Sequence, residues 1–123
     1  MKKKVMIVDD QPGIRLLLEE VLKNEGYEII TAENGKQALD KVLTTEPPDL
    51  IIIDYKLPIM DGSTVIKELD ARGIKTSVII MSGLAEEAIR EKDNFDMVKD
   101  VFAKPFNIED ARETIKKIVE ASD

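Results

Sequence analysis

Cysteine and histidine are both missing from this chain of 123 residues. Without cysteine there is no disulfide, no thiolate nucleophile and no cysteine zinc site. Without histidine there is no imidazole base, no imidazole metal ligand and no phosphohistidine on this chain. Long apolar runs are missing too: none approaches the ~20 residues that span a bilayer. Only four apolar residues separate the basic start of the chain from Asp9, too few for a signal peptide. The expectation is a cytoplasmic protein with no membrane role. Basic residues are in the minority, 18 Lys+Arg against 25 Asp+Glu, for a net charge of −7. That sign argues against nucleic acid as a direct partner, because phosphate backbones are bound by basic patches. It leaves room for a basic protein surface or a cation.

What is present suits one globular domain over residues 1–123, with 43% hydrophobic and 35% charged residues. A chain this long can bury a core without metal or disulfide staples. Short apolar runs alternate with longer amphipathic ones. Strands are predicted over residues 5–8, 28–32, 50–53, 77–81 and 101–103, and helices over 12–24, 34–44, 63–71, 85–92 and 108–121. Pro12 sits in a first helical turn, where its missing N–H costs nothing. Gly26 and Gly73 stop helices, and Asn107 is placed to cap the last one with Asp110 near its third position. The run Leu50-Ile51-Ile52-Ile53 reads as a central strand buried on both faces. Five βα units in strict alternation imply an α/β fold, a doubly wound five-stranded parallel sheet with helices on both faces. No repeat, low-complexity tract or linker interrupts it, and the last helix runs almost to the end.

Chemistry collects at the carboxyl ends of the strands, where such sheets bind ligands. The first strand ends in the stretch MIVDDQ, three apolar residues followed by Asp9 and Asp10. The third ends in Asp54, the fourth in Ser82, and the fifth in Ala103-Lys104-Pro105. Thr31 and Glu33, near the end of the second strand, receive no role. A single aspartate after a strand is often only a helix cap or a turn former. Three at neighbouring strands, with a lysine beside them, repel one another unless a cation joins them. A hard divalent ion with oxygen ligands fits, and Mg²⁺ takes one or two carboxylates directly. Lys104 is then a surplus positive charge unless a phosphoryl group also enters. A carboxylate can attack phosphorus and become an acyl phosphate while cations clamp the phosphoryl oxygens. Asp54, between the acidic pair and the lysine, is the best nucleophile. A plain divalent-cation-binding module is the non-enzymatic alternative.

The pieces VMIVDDQ, PDLIIIDYKLPIMDG, IIMSG and VFAKPF, in this order and spacing, resemble the receiver domains of two-component response regulators. The resemblance covers essentially the whole chain and implies the five-stranded, flavodoxin-like arrangement. It implies that Asp54 is the phosphoacceptor and also a metal ligand, that Asp10 binds Mg²⁺ directly and Asp9 through water, and that the Lys56 backbone carbonyl is a further ligand. Mn²⁺ or Ca²⁺ is expected to substitute. Ser82 would hydrogen-bond the phosphoryl group, Lys104 would pair with it, and the Lys104-Pro105 bond would be cis. The protein would catalyse its own Mg²⁺-dependent phosphorylation. Pro58, Asp61 and Gly62 match the turn after the phosphoacceptor, where Pro fixes φ and Gly permits φ > 0. Two positions depart from the usual pattern. Val101 stands where members often carry a rotating Tyr or Phe, with Phe102 beside it expected on the opposite face, and Gly83 stands where Ala is commoner.

Within the family, the stretch VDDQPGIRLLLEEVLKNEGYE is most similar to the single-domain receivers of sporulation phosphorelays. The partners implied are a sensor histidine kinase, a downstream histidine phosphotransferase and a phosphatase, with the receiver itself a monomer. A chemotaxis-type receiver that binds a protein target when phosphorylated is the alternative, and Val101 argues against it. On the first helix Leu17, Leu18 and Val21 share an arc, with Ile14 and Leu22 at its edges and Leu16 nearly opposite. The edge residues are either simply core, or Gln11, Gly13, Ile14 and Leu17, at the mouth of the site, dock a partner's helical bundle. Lys56 is expected to be exposed, to touch partners and to influence the lifetime of the acyl phosphate.

Overall fold

The computed structural model describes residues 2–121; Met1, Ser122 and Asp123 of the expected domain lie outside the described residues. The strands are β1 (Lys4–Val8), β2 (Glu28–Ala32), β3 (Leu50–Asp54), β4 (Ser77–Ser82) and β5 (Val98–Ala103). The helices are α1 (Pro12–Asn24), α2 (Gly35–Thr44), α3 (Gly62–Ala71), α4 (Ala85–Asn94) and α5 (Ile108–Ala121). All strand pairs are parallel, in the order β2-β1-β3-β4-β5. The chain therefore reverses its direction of travel across the sheet after β2, so β1 and β3 lie side by side at the switch point, the place where such sheets bind ligands.

Two apolar layers sandwich the sheet. Met6, Val8, Ile51, Ile53, Val78 and Ile80 face α2, α3 and α4, whose Leu39, Val42, Val65, Ile66, Leu69 and Ala88 complete that layer. Val5, Ile7, Leu50, Ile52, Ile79 and Met81 face the other way, against Leu18 and Leu22 of α1 and Ala111, Ile115 and Val119 of α5. The alternation along each strand is the period of two that a pleat imposes. All five residues of β3 are buried, which explains its unbroken apolar run.

The helix starts are built as the residue types suggest. Asn34 Oδ1 accepts from Gln37 N at 2.8 Å, so α2 begins at Gly35 with Asn34 as its cap rather than its first residue. Asn107 Oδ1 accepts from the backbone of Glu109 and Asp110. Asp61 Oδ1 accepts from Thr64 N at 2.9 Å and caps α3.

Two further expectations are corrected. β5 starts at Val98 and not at Val101. Lys99 and Asp100 hid its first half, since this is an edge strand whose charges face water and whose register slips between Val78 and Ile79 of β4. On α1 the inward stripe is centred on Leu18 and Leu22, which are fully buried, while Leu17 is 46% exposed and Leu16 59%. Ile14 packs against the sheet side of α1. No described helix is long and apolar enough to cross a membrane.

Leu18→Ala is expected to cost about 2–5 kcal/mol of unfolding free energy, the range for emptying a buried leucine site. Leu16→Ala, two residues away, is expected to cost under ~0.5 kcal/mol. Urea denaturation of the two variants checks the pair.

Candidate functional site

The ends of β1, β3 and β5 bring the acidic residues and the lysine together. Carboxylate oxygens of Asp9, Asp10 and Asp54 lie within 4.8 Å of one another. Lys104 Nζ donates to Asp54 Oδ2 at 3.0 Å and to Asp9 Oδ2 at 3.2 Å. Asp9 is fully buried and Asp54 nearly so, whereas Asp10 is exposed. The donors are all hard oxygens and one carboxylate is free to take a ligand, so the cluster fits a divalent cation of the Mg²⁺ type.

Each member of the cluster is held differently. Asp9 N donates to Ala32 O, and Gln11 N donates to Asp9 Oδ1 at 2.9 Å. With Lys104 on Oδ2, the buried Asp9 carboxylate has a partner at each oxygen, as burial demands. Asp10 takes no side-chain hydrogen bond or ion pair among the described residues. Burial pushes the Asp54 carboxyl above the usual range; the Lys104 hydrogen bond and charge pull against it, and the Asp9 charge adds to the rise. For Lys104, burial lowers its pKa, but the hydrogen bond and charge of Asp54 and the charge of Asp9 outweigh it, and the ammonium is held more tightly than usual.

Ser82 is buried at the end of β4, and its Oγ accepts from Leu84 N at 2.9 Å. Lys104 N donates to Ser82 O at 2.8 Å, tying the ends of β4 and β5 together. The Lys104-Pro105 bond is cis. The Lys56 side chain is exposed, with Nζ 3.9 Å from Glu87 of α4, while its backbone N–H faces Asp54. A Cβ placed on Gly83 meets nothing within 4 Å, so the wall of the site is open there. Val101 packs on the α4 side of the sheet and Phe102 on the other, its ring 5.8 Å from that of Phe106. No aromatic ring occupies the position of the usual switch.

The loop after Asp54 differs from expectation in which residue bears the unusual backbone. The positive φ is at Ile59, +69°, and not at Gly62. Met60 N donates to Pro58 O at 2.7 Å, closing a tight three-residue turn around Ile59. Gly62 is needed for a different reason: a Cβ there would stand 2.6 Å from the Asp54 carbonyl oxygen. Gly35 of α2 serves likewise, since its Cβ would meet Met60 O at 1.9 Å. The loop is thus pressed between α2 and the end of β3.

Of the residues expected to meet a partner, Gln11, Gly13 and Leu17 are exposed and Ile14 is half-buried. Sequence reasoning missed Arg15. Its Nη1 donates to the Asp9 carbonyl at 2.7 Å and its Nη2 lies 3.7 Å from Glu33, the residue to which no role was given. A basic residue one turn into the helix that follows an acidic pair was the available signal. A groove of about 590 Å³ opens among Pro47, Asp49, Ile74, Lys75 and Lys99 and holds none of the candidate residues.

A family model described as the response regulator receiver domain matches residues 5–116. The chain is 44% identical over 118 residues to the sporulation initiation phosphotransferase F of Bacillus subtilis (strain 168), covering 95% of this chain and 94% of that protein. It is 31% identical over 118 residues to the chemotaxis protein CheY of the same organism, covering 95% and 98%. Among solved structures, the response regulator protein TrrA from Thermotoga maritima, in complex with Mg(2+)-BeF, aligns with a TM-score of 0.80. That match has 34% identity and covers 94% of this chain and 98% of that one.

A β-branched residue at positive φ stores strain on the order of 1–2 kcal/mol. Ile59→Gly is therefore expected to stabilise the fold by about 1 kcal/mol, after the entropy cost of glycine, read as a higher urea midpoint. A lower midpoint would show that the Ile59 side chain contributes more than its backbone loses.

Proposed function

The chain belongs to the response regulator receiver domain family, and we propose that it works there as a phosphoryl relay station with Asp54 as the acceptor. Receiver domains bind Mg²⁺ through an acidic aspartate cluster, and Asp9, Asp10 and Asp54 form one here. The observation that carries the reading is Lys104, whose single ammonium reaches both Asp54 and Asp9. A cation alone would not call for that lysine; a phosphoryl group with three oxygens does.

A carboxylate oxygen of Asp54 attacks the phosphorus of a phosphohistidine donor. The P–N bond breaks, its electron pair stays on the imidazole nitrogen, and that nitrogen takes up a proton from solvent. Lys104 then pairs with the phosphoryl oxygens instead of the bare carboxylate, and the Ser82 hydroxyl donates to one of them. Asp10, Asp9, Asp54 and the Lys56 carbonyl would hold a divalent cation, which would supply positive charge to the same oxygens. Mn²⁺ or Ca²⁺ serves in its place, since both accept oxygen ligands. Transfer onward to a histidine of a second phosphotransferase reverses these bond changes.

The relay role in sporulation draws support from the 44% identity to the sporulation phosphotransferase, against 31% to the chemotaxis protein. The missing aromatic at Val101 points the same way, because an output that binds a target through a rotating ring has no ring to use. The partners on this reading are a sensor histidine kinase upstream, a histidine phosphotransferase downstream and a phosphatase, with the receiver a cytoplasmic monomer that binds no nucleic acid. Exposed Lys56, beside the acceptor, affects how long the acyl phosphate lasts.

Intact mass after incubation with a small acyl-phosphate donor tests the core of this reading. The wild type is expected to gain one phosphoryl group only with Mg²⁺ present, and Asp54→Asn to gain none. A wild type that binds Mg²⁺ but gains no mass would end the relay reading. For docking, Leu17→Ala and Ile14→Ala are each expected to slow transfer from a phosphohistidine protein about tenfold and to spare labelling by the small donor. Leu17 should carry the cleaner effect, because Ile14 also packs on the core. Equal losses in both assays would place these residues in folding and not in docking.

A further inference from the structure

Asp9 and Asp10 are adjacent, and one peptide plane joins them. The direction of that plane sets where both side chains leave the backbone. Asp9 has its carboxylate gripped by Gln11 N and Lys104. Asp10 has no such grip: its exposed carboxylate takes no hydrogen bond or ion pair among the described residues. Its aim therefore depends on the backbone that carries it.

The carbonyl of that shared plane is the Asp9 oxygen to which Arg15 Nη1 donates at 2.7 Å. The amide on the other side of Asp9 donates to Ala32 O, at the end of β2. The guanidinium is itself held: its side chain is only 17% exposed, and Glu33, directly after β2, lies 3.7 Å from Nη2. Glu33 in turn is placed by its backbone N–H, which donates to Gln37 Oε1 at 3.0 Å. A chain of contacts thus runs from α2 through Glu33 and Arg15 to the peptide between the two aspartates.

We propose that Arg15 is a positioning residue for the acidic site, presetting the Asp9–Asp10 peptide so that Asp10 faces a divalent cation, with Glu33 as the group that steadies its guanidinium. The proposal rests on the reading of Asp10 and Asp9 as ligands of the cation. Two opposite effects then meet in one side chain. As a positive charge near the site, Arg15 repels a cation. As a fork that fixes a ligand's backbone, it favours one, and partners of metal ligands are commonly worth 10–100-fold in affinity. The planar fork is what lysine cannot reproduce, though it keeps the charge.

The test is calorimetric titration of the full chain with MgCl₂, on wild type, Arg15→Ala, Arg15→Lys and Glu33→Gln, with a thermal melt of each. Arg15→Ala is expected to bind Mg²⁺ about tenfold more weakly. Arg15→Lys should bind at least as weakly as Arg15→Ala, and Glu33→Gln a few-fold more weakly than wild type, with native melts in all. Affinity within twofold of wild type in Arg15→Ala would overturn the proposal, and tighter binding would show that the arginine acts only as a like charge. Should Arg15→Ala fail to fold, Arg15→Lys decides alone: wild-type affinity there overturns the fork. A wild type that binds no Mg²⁺ would bring down the cation reading itself, and this proposal with it, a result distinct from any variant effect.

Discussion

Three carboxylates held within 4.8 Å of one another set the terms for everything around them. Asp9 and Asp54 are buried while Asp10 is exposed, and the repulsion between the buried pair is met by a positive charge from the chain itself. Lys104 is that charge. It arrives from the far strand of the sheet and spans the gap between Asp9 and Asp54. Burial raises the Asp54 carboxyl and Lys104 opposes that rise, so the two residues balance each other across the site. The arrangement stays short of neutral, and the remaining negative charge is what a divalent cation answers.

The loop after Asp54 is held by contact and not by its own preference. Ile59 adopts a backbone conformation that β-branched residues avoid. It is kept there because glycines at 35 and 62 let α2 and the end of β3 close upon the loop. Strain of this kind persists where the surroundings over-determine the conformation. On the neighbouring side α4 is fastened by polar contacts. Its Glu91 is buried and accepts from Ser63 Oγ at 3.2 Å, and Glu87 lies opposite Lys56. Among the described side chains of that helix, only Ala88 makes a buried apolar contact in the core. The tightly held loop after Asp54 thus sits beside a helix whose described side chains give it little apolar anchorage.

The first strand, the central strand and the last helix were legible because their apolar residues follow the periods of a pleat or a helix. The acidic pair, Asp54, Ser82 and Lys104 were legible because parallel strands expose their carboxyl ends at one edge. Other features were hidden. The first half of β5 carries Lys99 and Asp100, and an edge strand tolerates charges that a central one would not. Leu17 sat in an apolar arc on paper and points to solvent in the fold, because neighbouring leucines on a helix differ by a hundred degrees and only packing selects between them. Arg15 and Glu33 lie eighteen residues apart and have no shared pattern to announce their pairing.

The sequence by itself determined the alternation of strands and helices, the set of residues at the sheet's carboxyl edge and the absence of histidine and cysteine chemistry. These follow from local periodicity and composition, which need no long-range information. Only the tertiary structure decided which oxygen faces which nitrogen. It placed the Lys104 ammonium between two carboxylates, put the strained backbone on Ile59 and left the Asp10 carboxylate exposed. Such choices depend on how the two apolar layers pack and on distances between residues far apart in the chain. A linear pattern carries no record of either.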